Sequence, residues 1–146
     1  MKYTLHIDPE CDEEVIVRAR EKNALTDAIE ALISVEKVHT PPLIGYIGDD
    51  IFEIRPEEVY CFFIEDKKLF ASTKKGDALV KRRLYEIEKY LSDEFIKINQ
   101  SCIANVKKIK KFEASFGGAL TVIFKNGYRD YVSRRQMKIV KERIGF

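Results

Sequence analysis

The sequence has no apolar run near the roughly 18 residues that a membrane-spanning helix needs, so a transmembrane helix is excluded. Its first residues, MKYTLHIDPECDEE, turn acidic at once and hold no apolar stretch of signal-peptide length, which argues against secretion. Histidine is confined to His6 and His39, so neither HExxH nor a local Cys/His zinc pattern can be drawn. Cysteine is scarce and odd in number. Cys11, Cys61 and Cys102 are widely spaced and form no CxxC, which disfavours a disulfide framework and fits a reducing cytoplasm. The phosphate loop GxxxxGK[ST] and the nucleophile elbow GxSxG are both missing, and Gly117-Gly118 falls between predicted strands rather than before a helix. The adjacent carboxylates Glu13-Glu14 and Glu57-Glu58 would face opposite sides of a strand and cannot easily work as pairs. Lys97 near Cys102 could lower a thiol pKa, but a buried structural cysteine is the expected role. These absences point away from an enzyme, and nothing in the chain calls for a cofactor.

Charge is present and unevenly spread. Residues 1–50 hold five Lys and Arg against eleven Asp and Glu, a balance of −6, whereas residues 51–146 hold 21 against 13, a balance of +8. Residues 95–146 alone carry twelve basic and three acidic side chains. Such asymmetry fits a polyanion-binding module behind an acidic appendage, or else a solvated basic face.

The apolar pattern divides the chain. Tyr3, Leu5 and Ile7 alternate with polar residues, as do Val15 and Val17 after a turn-like DPECDEE, which predicts a β-hairpin. Asn23 then caps a helix whose Leu25, Ala28, Ile29, Leu32 and Ile33 share one face. Pro41-Pro42 end it and mark a boundary. Residues 1–44 therefore form an acidic hairpin-plus-helix extension, and residues 45–146 a second domain. So short an extension cannot bury a sound core, so its helix face is expected to dock on the rest of the chain or on a second copy.

Beyond the prolines the pattern is mainly β. LIGYI, IFEI, VYCFFI and LFAST read as short strands, with Glu65-Asp66-Lys67-Lys68 as a polar interruption. RRLYEIEKYL reads as a helix of two to three turns, and FIKINQSCIANV alternates again. ALTVIFKNGYRDYV predicts a hairpin, because Asn126 and Gly127 both tolerate the positive φ of a type I′ turn. Ser133 and Gln136 match a capping box ahead of a last helix with Met137, Val140 and Ile144 on its apolar face. Gly145 can end it.

Cations gather where the backbone turns: Lys67-Lys68, Lys74-Lys75, then Lys107, Lys108, Lys110 and Lys111, then Arg134-Arg135. Loop-borne cations can grip phosphates without burying charge. Arg134 and Arg135 at a helix start oppose the helix dipole, and an adverse local choice with no structural return is where function is expected. Asn99, Gln100 and Ser101 interrupt an apolar stretch. They form an ordinary polar turn, or they read bases, since Asn and Gln match adenine and Arg matches guanine.

The stretch from Phe95 to Gly145 resembles the C-terminal half of a LytTR (LytR/AlgR-type) DNA-binding domain. Phe95, Lys97, Ser101, Ile103, Asn105 and Ile109 stand on the first part of the family pattern, and Asn126, Gly127, Val132, Ser133, Arg134 and Arg135 on the second. Upstream residues are similar to the family's first half, so the resemblance covers residues 45–146. It implies a mainly β, α+β overall, fold of several small antiparallel sheets with short helices. It also implies a transcription regulator that binds duplex DNA with loops rather than a recognition helix in the major groove. A homodimer is expected because DNA-binding proteins often recognise paired half-sites. The resemblance places contacts at Lys67-Lys68, at Gln100 beside Ser101, and at Arg134 and Arg135. With the other polar and basic residues the candidate set is Lys67, Lys68, Lys97, Asn99, Gln100, Ser101, Asn105, Lys107, Ser133, Arg134 and Arg135. Leu25, Ile29, Leu32 and Ile33 are a candidate dimer contact. Members often carry Arg where Gln100 stands, and Gln suits adenine where Arg suits guanine. Many also carry a phospho-receiver domain in front. The 44 residues here leave no room for one, so the chain resembles the short stand-alone members, without phosphorylation input. The competing reading is an interaction module whose basic face meets RNA or an acidic protein.

Overall fold

The computed structural model describes residues 16–36 and 42–146, with the backbone alone for residues 34–36. The chain divides into two compact units, Met1–His39 and Thr40–Phe146. The hairpin expected over residues 3–17 lies outside the described residues except for Ile16 and Val17, which are in no strand.

In the first unit, α1 (Ala24–Glu36) starts at Asn23 as its sequence predicts. The Asn23 Oδ1 accepts hydrogen bonds from the backbone N–H groups of Leu25 (3.0 Å) and Thr26 (3.1 Å). Thr26 Oγ1 accepts one in return from the Asn23 N–H at 2.9 Å. Two of the helix's orphan donors are thereby satisfied locally. Leu25, Leu32 and Ile33 are exposed in this unit.

The second unit opens with β1 (Leu43–Ile47) and β2 (Asp50–Ile54), and the 44/45 boundary read from sequence falls within β1. Then follow β3 (Cys61–Glu65), β4 (Lys68–Thr73), β5 (Gly76–Val80), α2 (Leu84–Glu88), β6 (Phe95–Asn99) and β7 (Cys102–Asn105). The remainder is β8 (Ile109–Ala114), β9 (Leu120–Phe124), β10 (Arg129–Val132) and α3 (Arg134–Ile144). All pairings are antiparallel. Seven strands form one sheet in the order β2-β1-β5-β4-β3-β7-β6, and three form another in the order β10-β9-β8.

Period-two alternation divides the large sheet's side chains between two cores. Phe62, Leu69, Ala71, Ala78, Val80 and Ile103 point to one face, where they meet Leu84 and Ile87 of α2. Cys61, Phe63, Ile96, Ile98, Cys102 and Ala104 point to the other and meet Leu120, Val122, Phe124 and Val132 of the small sheet and Val140 of α3. Cys102 is fully buried beside Cys61, and that neighbour together with desolvation pushes its thiol well above the ordinary range. It stays protonated and inert at neutral pH, and both cysteines are free.

Three local expectations are corrected. The helix predicted over RRLYEIEKYL shortens to α2, five residues long. At Asn126-Gly127 only the glycine has positive φ, 88°. The Gly127 N–H donates to the Phe124 carbonyl at 2.9 Å and the Phe124 N–H to the Tyr128 carbonyl, so this loop is three residues with a left-handed glycine rather than a two-residue type I′ turn. Asn126 also serves elsewhere, donating from Nδ2 to Ser72 Oγ at 2.8 Å and tying the hairpin to β4. Ser133 does occupy the N-cap of α3, but its hydroxyl makes no capping bond.

Candidate nucleic-acid interface

Three short connections carry most of the sequence-predicted residues, and backbone hydrogen bonds hold them side by side. The first is the β3–β4 turn. Glu65 pairs with Lys68, so Asp66 and Lys67 alone make the turn, with φ of 49° and 63°. Positive φ at both central positions matches the right-handed twist of the strands, but a non-glycine residue pays for it in steric strain. Asp tolerates the region and Lys has no such excuse, so strain here is held at an exposed cation. Lys67→Gly is expected to raise stability by about 0.5–1 kcal/mol while weakening duplex binding. Paired denaturation and binding titrations check this, and a variant that lost both would contradict it.

The second connection is the β6–β7 turn, Asn99-Gln100-Ser101. The Ile64 N–H donates to the Ser101 carbonyl at 2.8 Å, which joins this turn to the end of β3. The third is the junction of β10 with α3, where the Ser133 N–H donates to the Ile98 carbonyl at 2.8 Å.

Asn99 locks the second connection to the third. It is 1% exposed. Its Nδ2 donates to Asp130 Oδ1 (3.0 Å) and to the Tyr131 carbonyl (2.8 Å), and its Oδ1 accepts from the Ser101 N–H (2.8 Å). Asp130 in turn accepts from the Tyr131 N–H at 2.8 Å and from the Tyr128 hydroxyl at 3.4 Å. Burial first, and the Asp130 charge second, push the Tyr128 phenol well above its usual range, so it remains a neutral donor.

This arrangement corrects two expectations. The Asn99 amide is spent inside the protein and has no donor–acceptor edge to offer a base. Asn105 is likewise 1% exposed; its Nδ2 donates to the Val59 carbonyl and its Oδ1 accepts from the Lys107 N–H. Both asparagines build the loops rather than project from them. Residue type alone could not separate buried amides from presented ones.

The exposed members of the set are Lys67, Lys68, Gln100, Ser101, Lys107, Arg134 and Arg135, with Lys97 and Ser133 half-buried. Lys67, Lys68, Arg134 and Arg135 enter no ion pair among the described residues. Lys97 lies 3.9 Å from Glu88, and Lys107 pairs with Glu94. On the small sheet, Lys111 and Arg129 flank Glu113 and hold its carboxyl below the usual carboxylate range. The uncompensated cations of the predicted set thus sit on the stitched loops. Sequence reasoning missed Lys81-Arg82-Arg83, which share a cleft with Lys67, Lys68 and Gln100. Their signal was three consecutive cations, hidden in what reads as a helix start.

The sequence pattern of the LytTr DNA-binding domain matches residues 49–145. The chain belongs to the LytTR DNA-binding domain family. A LytTR chain of this kind is similar over its length to two HTH-type transcriptional regulators, described as uncharacterized, from Staphylococcus aureus strains NCTC 8325 and COL. Each is 34% identical over 146 residues, covering 99% of this chain and 98% of the relative. Among solved structures, the LytTr DNA-binding domain of a protein described as a methyl-accepting/DNA response regulator from Bacillus cereus shares the fold. That match has a TM-score of 0.67 at 24% identity and covers 73% of this chain and 100% of that one. The expected mainly β LytTR fold of antiparallel sheets with short helices is therefore found, as one seven-stranded and one three-stranded sheet rather than several small ones. The family is one of DNA-binding domains, and the relatives are described as transcriptional regulators, which supports DNA binding in transcription regulation. The label HTH-type describes those relatives. Here α1, α2 and α3 are each separated by at least five strands, so among the described residues no two helices form a helix-turn-helix. No helix among them is long and apolar enough to cross a membrane.

Proposed function

We propose that this LytTR domain reads duplex DNA from its three stitched connections. Gln100 and Arg135 would address base edges in the major groove, and Lys67, Lys68, Lys97, Lys107 and Arg134, with the hydroxyls of Ser101 and Ser133, would address phosphates. The observation that carries this reading is the hydrogen-bonded union of three connections whose exposed cations lack carboxylate partners. Such loops present fixed donors, and fixed donors lose little entropy on binding. Ser133, with no capping duty, keeps its hydroxyl free at the start of α3, where backbone N–H groups also favour a phosphate. A cytoplasmic, non-enzymatic role follows from that reading.

The test is fluorescence anisotropy of the chain against a labelled DNA duplex, its single strand and an RNA duplex of the same sequence. Preferential binding to the DNA duplex, weakening steeply with salt, is the expected result. Preference for either competitor would favour an RNA-binding module instead.

Operators recognised by dimers place half-sites about one helical turn apart, and we assign the exposed Leu25, Leu32 and Ile33 of α1, with Ile29 beside them, to contact with a second copy. Leu32→Asp is expected to convert a dimer into a monomer in sedimentation. An unchanged mass would remove α1 from the interface.

A further inference from the structure

We propose that Lys81, Arg82 and Arg83 form a second phosphate-gripping rim, one that carries the DNA footprint beyond the three loops. The inference rests on the duplex-DNA reading above and deepens it. These residues span the junction of β5 with α2 and line one cleft with Lys67, Lys68 and Gln100. The cleft therefore runs without a break from a proposed base-reading side chain to a run of three cations.

Nothing local explains the charge. Arg83 starts α2 through its backbone, whose N–H donates to Glu86 Oε2 at 3.0 Å, a bond open to any residue but proline. The Lys81 ammonium stands over the Tyr46 ring, 4.3 Å from its centroid, which fixes the head at the rim without neutralising it. None of the three enters an ion pair among the described residues. Elsewhere in the same unit Lys107, Lys111 and Arg129 each meet a glutamate. The carboxylate lining this cleft, Glu86, is turned to the Arg83 backbone N–H and enters no ion pair among the described residues. Clustered like charges repel one another, and a polyanion laid along the cleft relieves that repulsion. A duplex supplies a charge every ~1.7 Å of its axis. An acidic peptide would also carry charge, but only a duplex uses the cleft's continuity with Gln100.

The experiment compares wild type with K81Q/R82Q/R83Q on a random-sequence DNA duplex of about 30 base pairs, by anisotropy over a salt series. Each lost phosphate contact flattens the log–log salt slope by roughly 0.9. A slope shallower by about 2.7 units, with unchanged base preference in competition, is expected. The charge-retaining K81R/R82K/R83K should restore the slope, and Arg83→Gln alone, at an exposed position, should remove about one unit even if the triple variant folds poorly. Equal slopes for wild type and both neutralised variants would overturn the rim while leaving the DNA reading intact. A wild type that ignores the duplex would overturn the reading itself. Loss confined to polyglutamate binding would assign the rim to an acidic protein and overturn the proposal.

Discussion

Asn99→Leu should destabilise the second unit by about 3 kcal/mol, because it removes three hydrogen bonds of a buried amide at once, each worth roughly 0.5–1.5 kcal/mol net. Leucine keeps the branched heavy-atom skeleton of asparagine and is no smaller, so the loss is not one of cavity formation. The Tyr131 carbonyl and the Ser101 N–H each lose their bond to this amide, and Asp130 Oδ1 keeps only the Tyr131 N–H. Total stabilities of about 5–15 kcal/mol make this a large fraction. For a unit of this size the thermal midpoint should fall by about 10–20 °C. DNA binding should fail alongside, since both the Gln100 turn and the approach to Arg134 are set by this amide. The neighbouring Gln100→Ala, at an exposed position, should change stability by less than about 0.5 kcal/mol. Calorimetry on the two variants checks the contrast. Equal midpoints would mean that Asn99 holds nothing together.

Arg135→Ala should cost about 1–3 kcal/mol of discrimination, equivalent to roughly 5–150-fold, and flatten base preference at one position. Its stability effect should have the opposite sign. A cation in the first turn of α3 opposes the helix dipole, and alanine is the better helix former, so a gain of a few tenths of a kcal/mol is expected. A functional loss joined to a stability gain is hard to attribute to misfolding. Its companion is Gln100→Arg, which should move the preferred base at its position from adenine towards guanine, because the acceptor pair O6/N7 of guanine suits a guanidinium. Competition among duplexes differing at single positions reads both results. An Arg135→Ala variant that weakens all sequences equally would make Arg135 a phosphate contact.

Much of the fold was legible because one face of most strands is buried. Alternation in VYCFFI and LFAST translated directly into two core faces, and Asn23 and Gly145 placed helix ends by chemistry that acts within a few residues. What failed is instructive. β5 (Gly76–Val80) leaves no mark in the sequence, since GDALV is too short and too weakly alternating to stand out beside the turn at Lys74-Lys75. The two-residue turn at Asp66-Lys67 was invisible because lysine is not a left-handed residue by preference, whereas Asn126-Gly127 advertised such a turn and formed a different one. Tertiary partners made the difference: Asn126 is drawn to Ser72, which lies 54 positions away in sequence.

The site divides along the same line. The exposed cations could be listed from sequence, since charge at a turn seldom has anywhere to go but outward. Asn99 and Asn105 could not be sorted, because an amide serves equally as a surface reader and as a buried clamp. Only partners remote in sequence, Asp130 and Val59, decide which it is. The Lys81-Arg82-Arg83 run became informative only once β5 and α2 brought it to the cleft edge.

The most direct test of the account is selection from random duplex DNA by the purified chain at near-physiological salt, followed by a salt titration on the winning sequence. The account predicts an enriched pair of short repeats bound at least about a thousandfold more tightly than random DNA. Steep salt dependence without any enriched sequence would contradict it, leaving a basic surface that holds polyanions and reads nothing.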